Sequence, residues 1–180
     1  MPVYALGEHE PEIHPDAYVH PDAVLIGRVR LGPESSVWPG AVLRADFGEI
    51  VVGARTSVQD GTVVHTTEQW PTLIGADCVV GHIAHLEGCT VEDRCLIGSG
   101  SVVLNRAVVR TGSVVGGQAL VPEGLEVPAG HMALGVPARP RPMGSDTQGT
   151  WIDEAVREYT GAARLYREQL RRIDQEGHTP

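Results

Sequence analysis

The chain has 180 residues, enough for one domain or one domain with an appendage, and a formal net charge of −9 at pH 7. Because this acidic balance comes without any run of Lys or Arg, it argues against nucleic acid or an anionic membrane surface as a partner. No apolar stretch approaches the roughly 18–20 residues that a membrane-spanning helix needs. The N-terminal stretch has neither a basic start nor an apolar core. These features predict a cytoplasmic protein.

From residue 13 onward, an aliphatic residue recurs every six positions, usually with a small residue four positions after it. The register resets after Leu43 and after the longer segment HTTEQWPT, and one hexad, LEGCT, is shortened. Each hexad can form a short strand and a bend, with the aliphatic and small residues pointing inward. Three bends close one triangular coil, and coils stack at about the 4.8 Å spacing of hydrogen-bonded strands. Ordinary half-buried strands have a period of two, so they fit the pattern poorly. The aliphatic positions are Ile13, Val19, Leu31, Val37, Leu43, Val52, Val58, Val64, Ile74, Val80, Leu86, Val91, Ile97, Val103, Val109, Val115, Val121 and Val127.

This spacing resembles that of the hexapeptide-repeat proteins, whose solenoid is left-handed. The resemblance, and not the spacing itself, predicts the handedness, because general rules favour right-handed parallel crossovers. We therefore predict an all-β solenoid, a left-handed parallel β-helix, followed by a C-terminal α-helix.

The hexad repeat stops before residue 143. Thr150, with Asp153 three residues later, suits a helix N-cap. The apolar residues that follow alternate three- and four-residue steps, which predicts a helix that packs on the solenoid or on an adjoining subunit. This stripe comprises Ile152, Val156, Tyr159, Ala163, Tyr166, Leu170 and Ile173. The predicted divisions are a β-helix over 1–142, a linker over 143–150, an α-helix over 151–174 and a tail over 175–180.

The three cysteines, Cys78, Cys89 and Cys95, occupy repeat positions that suit a small core or turn residue. Three are too few for a disulfide scaffold, and an odd number leaves one unpaired. Buried free thiols in a reducing compartment are the favoured interpretation. A metal-binding role is the alternative, although the chain contains no C-x-x-C pair.

Side chains that could do chemistry concentrate between residues 44 and 88. Because three hexads make one coil, the aliphatic residues directly before His65 and Glu87 should stack on the same face. His65 and Glu87 are therefore expected to project outward side by side, one coil apart, within reach of one metal ion. His82 falls near a bend on the preceding face. It cannot easily reach the same point in its own chain, but it could do so from a neighbouring copy.

The segment LRADFGEIVVGARTSVQDGTVVH, with GH at 81–82 and GC at 88–89, resembles the gamma-class carbonic anhydrases. The resemblance covers about residues 10–142, and GVPAR with the following helix resembles the short members of that group. It implies a homotrimer that converts CO2 to bicarbonate with a metal-bound hydroxide. It also implies a zinc ion at each subunit interface, held by two histidines of one subunit and one of the next. His65 and His82 match two of these three.

The resemblance also implies roles for two motifs beside the metal. Arg44 and Asp46 match the family's R-x-D motif, which forms an ion pair between subunits. Gln59 and Asp60 match a Gln-Asp pair, in which the glutamine orients the hydroxide.

Glu87 stands where the family has its third histidine, and Ser57 replaces a family asparagine. His65, His82 and Glu87 still make a possible zinc site with an open position, and His85 is the alternative third ligand. A carboxylate in place of a neutral imidazole removes one positive charge from the site. Bound water should then be less acidic, and another divalent metal such as iron or cobalt becomes plausible. Weak or absent CO2 hydration is therefore expected.

Two other functions fit the same fold. Many hexapeptide-repeat proteins transfer acetyl groups from acetyl-CoA with a histidine base, but no extended insertion loop carrying such a histidine is evident here. The R-x-D and Q-D motifs also favour the anhydrase. A catalytically silent trimeric scaffold is the third interpretation.

Overall fold

The computed structural model describes residues 2–144 and 150–174. It is a left-handed parallel β-helix of about seven coils with one α-helix on its flank, as predicted. No helix in this part of the chain is long and apolar enough to cross a membrane. The elements are β1 (Val3–Tyr4), β2 (Glu12–Ile13), β3 (Tyr18–Val19), β4 (Val24–Leu31), β5 (Ser36–Val37), β6 (Val42–Val52), β7 (Ser57–Val58), β8 (Val63–His65), β9 (Thr72–Ile74), β10 (Val79–Val80), β11 (His85–Glu87), β12 (Thr90–Val91), β13 (Leu96–Ile97), β14 (Val102–Val103), β15 (Val108–Val109), β16 (Val114–Val115), β17 (Leu120–Val121), β18 (Glu126–Val127), β19 (His131–Leu134), β20 (Arg139–Pro142) and α1 (Thr150–Gln169).

The coils stack their strands into three faces. Face 1 consists of β1, the starts of β4 and β6, β8, β11, β14 and β17. Face 2 consists of β2, the ends of β4 and β6, β9, β12, β15 and β18. Face 3 consists of β3, β5, β7, β10, β13, β16 and β19. Among the described strands, β20 alone pairs antiparallel, against β19.

The hexad aliphatics fill the interior, as the repeat predicts. Val64 and Leu86, for example, are partners in a parallel register and are both fully buried. Where a hydroxyl residue takes the small position, its side chain is satisfied internally. Thr62 Oγ1 donates to the Gly81 carbonyl oxygen at 2.8 Å, so its burial leaves no unpaired polar group.

The corner between faces 2 and 3 turns through residues with left-handed backbone angles. Going up the stack, these are Glu34, Arg55, Asp77 and Arg94, with φ between +55° and +57°, then Gly112 and Gly130. Left-handed φ is costly for residues other than glycine. Here the four side chains alternate in charge, and Arg55 donates to both carboxylate oxygens of Asp77 at 2.6 and 2.7 Å. Attraction between neighbouring coils therefore offsets part of the backbone cost.

A β-bulge in β6 interrupts the otherwise regular face 1. Pairing with β4 stops after Ala45 and resumes at Ile50, so residues 46–49 lie opposite Arg28 alone and add three residues to the coil. Gly27 makes this approach possible, because a Cβ at that position would lie 2.4 Å from the Ala45 carbonyl oxygen. The bulge carries Asp46 to the end of the neighbouring strand β8.

Helix α1 lies against face 3 and contacts β3, β5, β7 and β10. Ile152 and Val156 pack with Met143 against that face, and ion pairs tie the helix to the corner between faces 2 and 3. Arg94 lies 2.9 Å from Asp153, and Arg164 pairs with Glu34. The helix therefore packs on its own solenoid.

The helix ends at Gln169, five residues before the predicted end at 174. The apolar stripe continues beyond this point, but Leu170 and Ile173 are 47% and 69% exposed. Since β3 is the last strand of face 3, the final turn of the predicted helix has no sheet to pack on. Residues 145–149 of the predicted linker and the predicted tail 175–180 lie outside the described residues.

On face 2, Arg110 links three successive coils. It donates to Glu92 at 2.7 Å and to Glu126 at 3.0 and 3.1 Å. These hydrogen bonds hold the pKa of both carboxyls below the ordinary value of 4.5.

Replacing Arg110 by Met should lower the free energy of unfolding at pH 7 and flatten its decline in acid. A carboxyl whose pKa falls on folding stabilises the protein fully above about pH 4.5, and that contribution disappears as the pH drops through the folded-state pKa. Urea unfolding between pH 7 and pH 3 measures this. Arg157→Met, on an exposed residue of α1, is the control and should leave the slope unchanged. An unaltered acid slope in R110M would contradict the prediction.

Candidate metal centre

Three neighbouring strands of face 1 place polar side chains at one register position. Arg44, His65 and Glu87 are successive register partners on β6, β8 and β11. Each follows a fully buried aliphatic residue, so each points outward. The prediction that His65 and Glu87 lie side by side is confirmed.

The imidazole of His65 lies between two carboxylates. Its Nδ1 is 3.0 Å from Glu87 Oε1, and its Nε2 is 3.0 Å from Asp46 Oδ1. The other oxygen of Asp46 accepts a hydrogen bond from Arg44 of the same chain. An ionised carboxylate can only accept hydrogen bonds, and the two carboxylates lie against opposite edges of the ring. One nitrogen and one oxygen donor, His65 Nδ1 and Glu87 Oε1, therefore face each other on one side of it.

His85 shares this outward surface. Leu86 is fully buried, so the residues on either side of it, His85 and Glu87, project together. His85 Nε2 is 3.4 Å from Glu87 Oε2. The carboxylate thus separates His85 from His65, with one oxygen toward each. We call Arg44, Asp46, His65, His85 and Glu87 the strand cluster.

The Glu87 carboxyl is tuned by opposing effects. Partial burial raises its pKa, but the hydrogen bonds with His65 and His85 outweigh burial and hold the pKa below the ordinary value. Glu87 is therefore an ionised carboxylate at neutral pH, which is the form that binds a metal ion.

The remaining predicted residues lie at a different place, the corner between faces 3 and 1. His82 Nδ1 is 2.8 Å from Asp60 Oδ2 on the coil below, and Gln59, beside Asp60, is only 3% exposed. Tyr159 of α1 brings its hydroxyl to 3.5 Å from His82 Nε2. We call Gln59, Asp60 and His82 the corner cluster. The sequence marks Tyr159 only as a stripe residue, because its approach to His82 depends on how the helix docks.

The two clusters lie at opposite ends of face 1. The corner cluster precedes β8 and β11, whereas His65 and Glu87 end these strands. Within residues 2–144 and 150–174, no group of three or more His, Cys, Asp and Glu side chains is arranged to hold a metal ion. A centre that uses both clusters therefore needs a second copy of the chain.

The cysteines do not join this centre. Cys78, Cys89 and Cys95 are all free and buried, as predicted for these repeat positions. Burial raises the pKa of the Cys89 thiol to about 12, so it stays protonated at neutral pH, whereas metal binding requires the thiolate.

The chain is similar in sequence to proteins of one family. It is 36% identical over 159 residues to the carnitine operon protein CaiE of Escherichia fergusonii, covering 88% of this chain and 81% of CaiE. It is 34% identical over 165 residues to the mitochondrial gamma carbonic anhydrase 2 of Arabidopsis thaliana, covering 88% of this chain. The chain belongs to the gamma carbonic anhydrase-like family of hexapeptide-repeat proteins. It spans 59% of the length of the Arabidopsis relative.

A solved structure shares the fold of this family member. The crystal structure of a hexapeptide transferase family protein from Anaplasma phagocytophilum superposes with a TM-score of 0.88 at 32% identity, covering 92% of this chain and 98% of that one. No protein-family model matches the chain. The shared solenoid accommodates proteins described as anhydrases and as transferases, so the site must decide the chemistry.

Replacing Asp60 by Asn should release the imidazole of His82 from a single tautomer. The carboxylate can only accept, so it keeps the proton on Nδ1, and without it both neutral tautomers should be populated. Nitrogen-15 chemical shifts of the histidine ring report which nitrogen carries the proton. Asp22→Asn, next to His20, should leave the His82 signals in place. A His82 spectrum unchanged by D60N would show that Asp60 does not fix the ring.

Proposed function

We propose that this protein is a gamma carbonic anhydrase-like metalloprotein that interconverts CO2 and bicarbonate in the cytoplasm. The proposed centre lies between copies of a homotrimer, where the strand cluster of one copy meets the corner cluster of the next. One observation carries the proposal: His65 and Glu87 contact each other at one end of face 1, while His82 lies at the other end with its own carboxylate partner.

The donor set suits a divalent metal. His65, Glu87 and His82 of the next copy would supply two imidazoles and a carboxylate, a combination that zinc accepts with a position left open. Iron or cobalt would also tolerate it. His85 remains the alternative third ligand, because it lies on the same outward surface of β11. A metal held there would act as a Lewis acid and lower the pKa of a coordinated water, which supplies the nucleophile for CO2.

The surrounding residues position the ligands and the nucleophile. Asp46 holds the His65 ring, and Arg44 in turn holds Asp46. Asp60 holds His82 through Nδ1, so Nε2, which lies 3.5 Å from the Tyr159 hydroxyl, is the nitrogen that would bind the metal in place of that contact. Gln59, nearly buried beside Asp60, is placed to orient the attacking water.

Co-assembly of two inactive variants tests the shared centre. His65→Ala and His82→Ala homotrimers should each lack one ligand at every interface and bind little zinc. A mixed trimer of the two variants regains one intact interface of its three, since one copy can supply His65 and its neighbour His82. Differently tagged subunits, purified as mixed trimers by tandem affinity, allow zinc to be counted by elemental analysis. The proposal would be contradicted if mixed trimers bound no more zinc than the two parent homotrimers, or if the native protein were a monomer.

Glu87→His should raise the rate of CO2 hydration above that of the native protein. The third imidazole restores the positive charge that the carboxylate removes, so bound water should ionise closer to neutral pH. Stopped-flow hydration assays at pH 7 on zinc-loaded trimers measure the rate. Glu87→Gln is the matched control, since it removes the charge without adding an imidazole. An equal or lower rate in E87H would contradict this account of Glu87.

A second candidate is transfer of an acyl group from acetyl-CoA, favoured by the similarity to the Anaplasma hexapeptide transferase family protein. The two departures from the hexad repeat near the site, at 46–49 and 66–71, contain no histidine to serve as a base. Thermal stabilisation by acetyl-CoA but not by zinc would support the transferase. A trimer that binds neither would be a silent scaffold.

A further inference from the structure

Two large apolar side chains are exposed beside the candidate centre, one at each half. Phe47 follows Asp46 in the β6 bulge and is 62% exposed. Ile83 follows His82 at the corner between faces 3 and 1 and is 69% exposed. Neither contributes its side chain to the core of its own chain, so folding of the single copy does not explain them.

Phe47 is held against the strand cluster. Its ring stands edge-on to the ring of His65, with 6.0 Å between centroids and 75° between planes. The bulge is braced by Gly48, whose N–H donates to Thr66 Oγ1 at 2.9 Å. The single phenylalanine of the chain is thus fixed next to one proposed ligand with most of its surface uncovered.

Ile83 occupies a conformation that its side chain disfavours. Its φ is +51°, which is unusual for a β-branched residue. Corresponding positions on neighbouring coils of this corner are Gly40, Gly61, Gly100 and Gln118. Gly61 makes room for it, because a Cβ there would lie 3.1 Å from Ile83 Cγ2. Its backbone is fixed by a hydrogen bond from its N–H to the Asp60 carbonyl oxygen at 2.8 Å. Because the fold of the single chain does not require this strained conformation at Ile83, we expect the Ile83 side chain to have a role outside its own chain.

We propose that Phe47 of one copy packs against Ile83 of the next and closes the shared centre on one side with an apolar wall. This inference rests on the proposed function. If His65 of one copy and His82 of the next share a centre, then Phe47 and Ile83, which lie beside them, also come together. An apolar wall excludes water and strengthens electrostatic interactions at the centre. It favours a small uncharged substrate over a charged one.

A second copy of this chain is the occupant that the surface fits. The outward side of face 1 between the two clusters is a row of aliphatic residues around His85, in register on neighbouring strands. The row is Val42, Val63, Val102 and Leu120, of which Val63 is 38% exposed. It adds apolar surface to the face that lies between the two clusters, as expected of an interface core.

Disulfide trapping tests this contact directly. The three native cysteines are buried, so introduced cysteines are the accessible thiols. With oxidised glutathione as the oxidant, Phe47→Cys/Ile83→Cys should form intermolecular disulfides and give covalent dimers and trimers on non-reducing gels. Each single variant, and the control pair Phe47→Cys/Gln118→Cys two coils further along the same corner, should remain monomeric on the gel. Equal cross-linking of the control pair, or none in the test pair, overturns the proposal.

A glycine substitution separates the role of Ile83 in assembly from its role in folding. Ile83→Gly relieves the left-handed strain, so circular dichroism should show an intact solenoid, while the trimer should dissociate about tenfold more readily or worse because buried apolar area is lost. Gln118→Gly relieves a similar φ of +58° and should leave trimer dissociation unchanged. An unweakened I83G trimer overturns the proposal.

The outcomes also separate this inference from the proposed function. Zinc-loaded trimers that complement as expected but fail to cross-link would overturn the apolar wall alone. Cross-linked trimers that bind no metal would overturn the metalloprotein and leave the contact standing.

Discussion

Side chains on neighbouring coils stand directly over one another because the strands of each face pair in parallel and in register. This stacking makes the hydrophobic core, since each buried aliphatic residue contacts its equivalents one coil away. It also makes the strand cluster, because the residue after Val64 and the residue after Leu86 must then emerge side by side. A shift of one residue in either strand would turn His65 or Glu87 inward and leave a polar group in the core.

The solenoid tolerates two departures from its regular repeat, and both lie beside the candidate centre. The bulge at 46–49 breaks the regular pairing of β6, and it is this departure that brings Asp46 to His65. Ile83 likewise breaks a corner otherwise rich in glycine, directly after His82. Regular coils above and below hold both irregularities in place. Their packing offsets the free energy lost to the interrupted pairing and the strained backbone.

The chemistry of the centre depends on how carboxylates surround imidazoles. Asp46 and Glu87 face the two nitrogens of His65, and Asp60 faces one nitrogen of His82. A third imidazole would bind a metal as a neutral ligand, whereas Glu87 adds a negative charge and is kept ionised by His65 and His85. In the proposed centre, this exchange would lower the electrophilicity of a bound metal ion.

The six-residue period by itself determined the solenoid and its core, and it placed His65 beside Glu87, because stacking distance in a three-sided coil follows from counting residues. The apolar stripe by itself indicated the helix but not its end at Gln169, which depends on where face 3 stops. Only the tertiary structure decided that Asp46 reaches His65 across a bulge and that Tyr159 reaches His82 from the helix. These contacts join segments far apart in the chain, and no local pattern encodes a docking geometry.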